Sequence, residues 1–223
     1  VSPQVAVVSA VYGGYDTVKP VVPQDGLDVD WVLVTDDPTL RGGLLGWRVV
    51  YLPRANQCAN RAAKWPKLFP WEYTSAPASV WIDAAFRVIS PGFVAGALAV
   101  ADPIAQFVHP WRDCVYTEAA VSEQMAKYAG EDFEAQTGEY RAFGHPEHWG
   151  LWATGVIARR HDDLRVFDCS EHWAELIARG TVQDQVSQPV ALRHNKLRPS
   201  PFPNDHLCND WLVHEGHLEA NDE

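Results

Sequence analysis

Positive charge is scarce in this chain, and where it gathers is informative. The 223 residues hold 18 Lys and Arg against 29 Asp and Glu, a net charge of −11. Yet Arg54, Arg61, Lys64 and Lys67 crowd together ahead of Asp83, which closes the apolar run Val80-Trp81-Ile82. Arg61 and Lys64 are three apart and share a helix face. Cationic groups beside strand ends are donors for an anion such as a diphosphate. A solvated helix face and a turn-capping carboxylate would use the same residues.

Three further groups carry possible chemistry. Tyr12, Tyr15 and Asp16 surround Gly13-Gly14 at the end of the apolar run Val5–Val11. Tyrosine rings can stack on a base, and a carboxylate can accept from a base N–H or a ribose hydroxyl. His109-Pro110-Trp111-Arg112-Asp113-Cys114 precedes a helix, where polar groups can bind an acceptor sugar or phosphate; Arg112 and Asp113 could equally form a structural ion pair. Trp149, Trp152 and Thr154 stand beside Gly155, and aromatic faces suit the apolar side of a pyranose. A Trp beside a buried strand is as often core.

These residues need elements to position them. Val5–Val11, Trp31–Thr35, Trp47–Leu52 and Val80–Ile82 read as strands, and Asn56–Leu68 reads as a helix bent or stopped near Pro66. Helices are expected over Cys114–Gly130, Glu131–Arg141 and Asp163–Arg179. The last has Val166, Trp173, Leu176 and Ile177 on one face and Gly180 as its C′ residue. Leu151–Ala158 reads as a strand, and Thr181 with Asp184 as a capping box opening another helix. The tail from Leu197, with Pro199, Pro201 and Pro203, is expected to pack irregularly across the site or the sheet edge. Strands alternating with helices, with polar residues at strand ends, argue for an open α/β sheet in one domain, residues 1–223. Ligands of such sheets bind beyond the carboxyl ends of the strands.

Composition narrows the function. A hydrophobic fraction of 47% and a charged fraction of 21% exclude disorder. The acidic balance argues against a nucleic-acid binder, since phosphate contacts need Lys and Arg. No apolar run reaches the roughly 20 residues of a membrane span, and no signal peptide is visible at the start; a cytoplasmic location follows as an expectation. Cys58, Cys114, Cys169 and Cys208 are widely spaced and read as free buried thiols. His145/His148, His214/His217 and Cys169/His172 have ligand-like spacing, but none completes a four-ligand zinc pattern.

The ordered segments YGGYD (Tyr12–Asp16), AKWPKLFPW (Ala63–Trp71), WIDAAF (Trp81–Phe86), HPWRDCVYTEA (His109–Ala119), GLWATGVIARRH (Gly150–His161) and QDQVSQ (Gln183–Gln188) resemble a family of plant and bacterial glycosyltransferase-like domains. Its plant members are linked to cell-wall and mucilage polysaccharide. More distantly, the chain is similar to glycogenin-like enzymes of the GT-A fold. The resemblance implies a GT-A, Rossmann-like mixed sheet, with residues 1–90 as the nucleotide-binding half and 91–223 as the acceptor half. It implies a nucleotide-sugar donor, UDP-linked by the bias of the fold with guanine as the alternative base, and a carbohydrate or other hydroxyl-bearing acceptor. Tyr12, Tyr15, Asp16, Thr35 and Asp36 would then meet base and ribose. Arg61, Lys64 and Asp83 would meet the diphosphate. Trp111, Arg112, Trp152 and Thr154 would receive the acceptor.

In the wider fold an Asp-x-Asp pair holds Mn²⁺ or Mg²⁺. Here the second Asp is Ala85. Either Asp83 binds the cation with other ligands, His194 or His206 among them, or basic residues such as Arg61, Lys64 and Arg87 stabilise the leaving diphosphate alone. Asp184 matches an acidic residue that approaches the donor sugar. Inverting transfer needs a base for the acceptor hydroxyl, with Asp184, Asp113 and His109 as candidates in that order; retaining transfer does not. Two other readings keep the fold: an inactive carbohydrate-binding or scaffold domain, which Ala85 favours, and a nucleotidyltransferase, which a basic residue close behind the first glycine loop would favour.

Overall fold

The computed structural model describes residues 3–55 and 57–216. Val5–Val11 forms strand β1, followed by β2 (Val29–Thr35) and β3 (Arg48–Tyr51). Helix α1 (Ala59–Leu68) then leads to β4 (Ala78–Ile82), β5 (Phe86–Val88), α2 (Phe93–Val100) and β6 (Ile104–Val108). The second half continues with α3 (Val115–Ser122), α4 (Phe133–Ala142), β7 (Trp152–Arg160), α5 (Leu164–Arg179) and α6 (Asp184–His194). Two short strands close it, β8 (Ser200–Pro201) and β9 (Leu212–His214). Asn56, the expected first residue of the first helix, lies outside the described residues.

Seven strands make one mixed sheet in the order β3-β2-β1-β4-β7-β6-β8. β1 pairs in parallel with β2 and β4, while β7 runs antiparallel to both β4 and β6. The chain moves outward from β1 to β3, then returns to place β4 on the other side of β1. Strand order therefore reverses between β1 and β4, and a crevice opens beyond their carboxyl ends. β1 is buried on both faces, as its unbroken apolar run requires. Ala6, Val8 and Ala10 pack under α1, α5 and α6 with Trp173 and Leu192. Val5, Val7 and Val11 pack on the opposite face with Phe93, Val94 and Ala97 of α2. No helix among the described residues is long and apolar enough to cross a membrane.

Several local expectations change. α1 passes through Pro66 and ends at Leu68. The helix expected over Cys114–Gly130 stops at Ser122, because the chain tightens into i→i+3 bonds from Met125 to Ser122 and from Tyr128 to Met125. Gly180 is extended, not left-handed (φ −114°). Its small size is what matters, since a Cβ there would lie 2.4 Å from Gln136 Nε2. Thr181 does not cap α6: its hydroxyl donates to Gln136 Oε1 at 2.7 Å. Of the four thiols only Cys114 and Cys169 are buried, while Cys58 and Cys208 are exposed in loops. The tail, expected to pack irregularly across the site or the sheet edge, forms two short strands instead, β8 on β6 at the sheet edge and β9 on β5 beside the crevice.

Two imidazoles, His145 buried and His161 half-buried, give the fold a pH dependence. His161 donates from Nδ1 to the Ala76 carbonyl at 3.0 Å and accepts at Nε2 from Ser79 Oγ at 2.9 Å, as the neutral ring requires. Burial pushes both His161 and His145 down to about 4. Unfolded, they titrate near 6.5. Between about pH 6.5 and 4 the unfolded chain binds more protons, so stability is full above that window and falls on acidification through it. A urea midpoint clearly lower at about pH 5 than at about pH 7 is expected; equal midpoints would contradict this account.

Candidate functional site

The crevice between the ends of β1 and β4 is a cleft of about 430 Å³. Tyr12, Tyr15 and Asp16 line it from the turn after β1, and Lys64 and Lys67 from α1. Asp83 follows β4, Thr154 and Gly155 stand at the start of β7, and Asp184 begins α6. Lys127 and Tyr128 come from the tightened turn after α3, and His206 and His214 from the tail. Both halves of the chain therefore contribute.

Its centre is a buried ionic cluster. The Lys67 ammonium lies 2.8 Å from Asp184 Oδ2 and 3.0 Å from Asp83 Oδ1, with its side chain 4% exposed. Lys64 Nζ approaches the same Asp184 oxygen at 3.0 Å. Thr154 Oγ1 donates to Asp184 Oδ1 at 3.0 Å, and the Trp81 indole donates to Asp83 Oδ1 at 2.7 Å. Burial alone would raise the Asp184 carboxyl, but the two ammoniums outweigh it and hold the group well below the usual carboxylate range. Burial pulls Lys64 down. Lys67 stays above its ordinary value, because two carboxylates overcome the same burial. Behind the cluster Arg159, 1% exposed, donates to the Lys67 carbonyl at 2.6 Å. Its cation meets the carbonyl end of α1, where the helix dipole favours positive charge.

Asp184 thus accepts at both oxygens and is strongly acidic, which makes it a poor proton acceptor and a good anchor for ammoniums. The other expected bases stand elsewhere. Asp113 is 65% exposed and bonds to His148 Nδ1 at 2.7 Å on the surface. His109 is buried, accepts at Nδ1 from the Trp111 and Arg112 amides, and does not line the cleft.

Other expected site residues divide similarly. Arg61 turns away from the cleft and donates to the Ile177 carbonyl at 2.7 Å, tying α1 to α5. Thr35 is buried and accepts from the Asp37 amide. Asp36 accepts from the Gly13 amide at 2.9 Å and pairs with Arg54 at 2.9 Å. Asp36 holds the turn that presents Tyr12 and Tyr15, and neither residue lines the cleft. Gly13 needs its φ of +63°, and a Cβ there would lie 3.0 Å from Arg54 Nη1. Trp152 is core, packed edge-on to Trp149 at 5.5 Å, whereas Trp111 is 68% exposed. Arg112 bonds to buried Glu118, which also accepts from Gln183, the residue before Asp184. Thr154 is in the cleft through its bond to Asp184. Lys67, Lys127, Tyr128 and His214 line the cleft without having been singled out as site residues. Of these, Lys67 carried a sequence signal in its place in the basic run, and His214 in its spacing from His217.

His194 ends α6, roughly 15 Å along the helix from Asp184, with its ring against His172. It is not part of the cleft, whereas His206 is. Among the described residues no three His, Cys, Asp or Glu side chains gather as ligands for a metal ion. Asp83 gives one oxygen to an ammonium and an indole, and Ala85 is buried, its carbonyl accepting from the Glu215 amide. This donor set does not fit the oxygen-rich shell of Mn²⁺ or Mg²⁺. Of the ligand-like pairs, His148 is committed to Asp113, and His217 lies outside the described residues.

No protein-family model matches the sequence, and no curated protein matches it. Among solved structures, the chain is similar to the bifunctional glycosyltransferase WbbM in its apo form, with 14% identity and a TM-score of 0.54 over 90% of this chain. The match covers 39% of WbbM, so the chain spans about two fifths of that protein's length. A CMP:2-keto-3-deoxy-manno-octonic acid synthetase complexed with CTP aligns over 89% of both chains with 13% identity and a TM-score of 0.46. The likeness to WbbM is one of fold: a GT-A-like mixed sheet flanked by helices.

Proposed function

We propose that the protein is a glycosyltransferase that moves a hexosyl group from a nucleotide sugar, by preference a UDP-sugar, to a hydroxyl of a glycan, small molecule or protein. The observation that carries this reading is the Lys64–Asp184–Lys67–Asp83 cluster in a cleft at the point where strand order reverses. In the proposed reaction the bond from the sugar C1 to the β-phosphate oxygen breaks, a bond to the acceptor oxygen forms, and the acceptor's hydroxyl proton passes to the released β-phosphate oxygen. Charge then develops on the leaving diphosphate, and fixed ammoniums in a water-poor cleft stabilise it. Asp184 holds those ammoniums in place. Tyr15, 46% exposed at the mouth, offers a ring to the base, with Asp16 next to it. Trp111 offers an exposed face to an acceptor sugar, its loop braced by Arg112 and Glu118.

Calorimetry with UDP, GDP and CDP tests the reading. UDP is expected to bind most tightly, and Tyr15→Ala to weaken it by about 1–3 kcal/mol, the usual value of base stacking. Binding of oligosaccharides but of none of the nucleotides would sink the reading in favour of the inactive carbohydrate-binding domain. Pyrophosphate release from CTP and a sugar acid would instead favour a nucleotidyltransferase.

A further inference from the structure

We infer that the diphosphate of the nucleotide is held without a divalent cation, by the Lys64 and Lys127 ammoniums in front of a fixed Lys67. The inference rests on the nucleotide-sugar reading above and goes beyond it by naming what neutralises the phosphates.

Three observations lead to it. The first is the donor set. Asp83 is not joined by two further ligand side chains among the described residues, and the residue two positions on is a buried alanine. The second is Lys67. Its ammonium bridges Asp83 and Asp184 at 3.0 and 2.8 Å and is closed off from solvent. A divalent ion on Asp83 would face this buried like charge at short range, where the low dielectric strengthens repulsion. The cluster already contains the positive charge that a metal would bring.

The third is the distribution of the remaining ammoniums. An ammonium has three N–H donors. Lys64 gives one to Asp184, and its side chain, less buried than that of Lys67, borders the cleft. Lys127 lies at the cleft edge with its Nζ 4.9 Å from the Tyr128 ring centroid, on an exposed turn. Asp184 carries Lys64 and Lys67 together and is itself fixed by Thr154. Lys64 is therefore pre-positioned and needs little ordering when phosphate arrives, which favours binding.

The test is calorimetry of UDP binding in EDTA and in millimolar Mn²⁺ or Mg²⁺, with the free Mn²⁺ signal followed separately by electron paramagnetic resonance. UDP is expected to bind in EDTA, with an affinity that either metal changes less than threefold, and the protein alone should leave the Mn²⁺ signal undiminished. Lys64→Ala should weaken UDP in EDTA by at least tenfold. Lys127→Ala, on an exposed turn where folding is not at stake, should weaken it severalfold. Loss of UDP binding in EDTA, or a tenfold or greater gain with metal, would overturn the inference and leave the glycosyltransferase reading standing. Failure of UDP, GDP and CDP to bind with or without metal would remove both.

Discussion

Replacing Lys67 with methionine is expected to lower the free energy of unfolding by about 1–3 kcal/mol at neutral pH, the cost of removing one hydrogen-bonded partner from a buried charged group. Methionine keeps the unbranched stem and most of the volume, so packing changes little. What disappears is the ammonium shared by Asp83 and Asp184. Asp184 would retain Lys64 and Thr154, and Asp83 would retain the Trp81 indole, but the two carboxylates would face one another across the gap. With one of its two ammoniums gone, the Asp184 carboxyl moves up. In the native protein Asp184 is held below its ordinary value, so its contribution is present above the unfolded carboxylate pKa of about 3.9 and lost only below it. In the variant, protonation of Asp184 on acidification therefore relieves part of the defect. The gap in stability between wild type and variant should therefore narrow on acidification. Adding Asp184→Asn to Lys67→Met should cost less than the sum of the two single changes, because the groups share one network. Urea unfolding at about pH 7 and pH 4.5 measures all three proteins. A loss under about 1 kcal/mol at pH 7 would mean that the cluster is far better solvated than its burial indicates.

The sequence made the strand ends legible, and the reason is local. An unbroken apolar run that stops at a polar residue marks both a buried strand and its exit, and this marks the Tyr12–Asp16 turn and Asp83. The same signal misleads at Thr35 and Asp36. β2 lies one strand away from the point where order reverses, so Asp36 braces the neighbouring turn and neither exit residue meets the cleft. In α1 the basic residues are spaced by three, which turns each about 60° from the last around the axis. Arg61 and Lys67 thus diverge by about 120° with Lys64 between them. Which one enters the cleft depends on where α5 packs, and α5 takes Arg61 through the Ile177 carbonyl. Local sequence contains no such information. His206 and His214 reach the cleft only because the tail returns over β5. His194, the other metal candidate, is carried away by the length of α6. The acidic character of Asp184 was equally invisible, since it arises from two lysines more than a hundred positions earlier.

Gly155 tests whether the cleft is the nucleotide site, apart from any question of stability. Its backbone is ordinary strand, so a substitution there costs only space. A Cβ would lie 2.7 Å from Phe86 Cε2 and 3.3 Å from Asp83 Oδ2. Gly155→Val should therefore drive the Phe86 ring into the cleft it lines, or push Asp83 away from Lys67. Gly96, in α2, is a control of matched severity, because a Cβ there would lie 2.6 Å from Trp211 Cζ2, a side chain that does not line the cleft. Both valine variants should lose about 1–3 kcal/mol of stability through overpacking. Only Gly155→Val should also lose nucleotide affinity, by tenfold or more, measured by UDP titration well below either melting transition. Equal weakening in the two variants would show that affinity follows general stability. Wild-type affinity in Gly155→Val would count against the nucleotide lying beside Phe86 and Asp83 in this cleft.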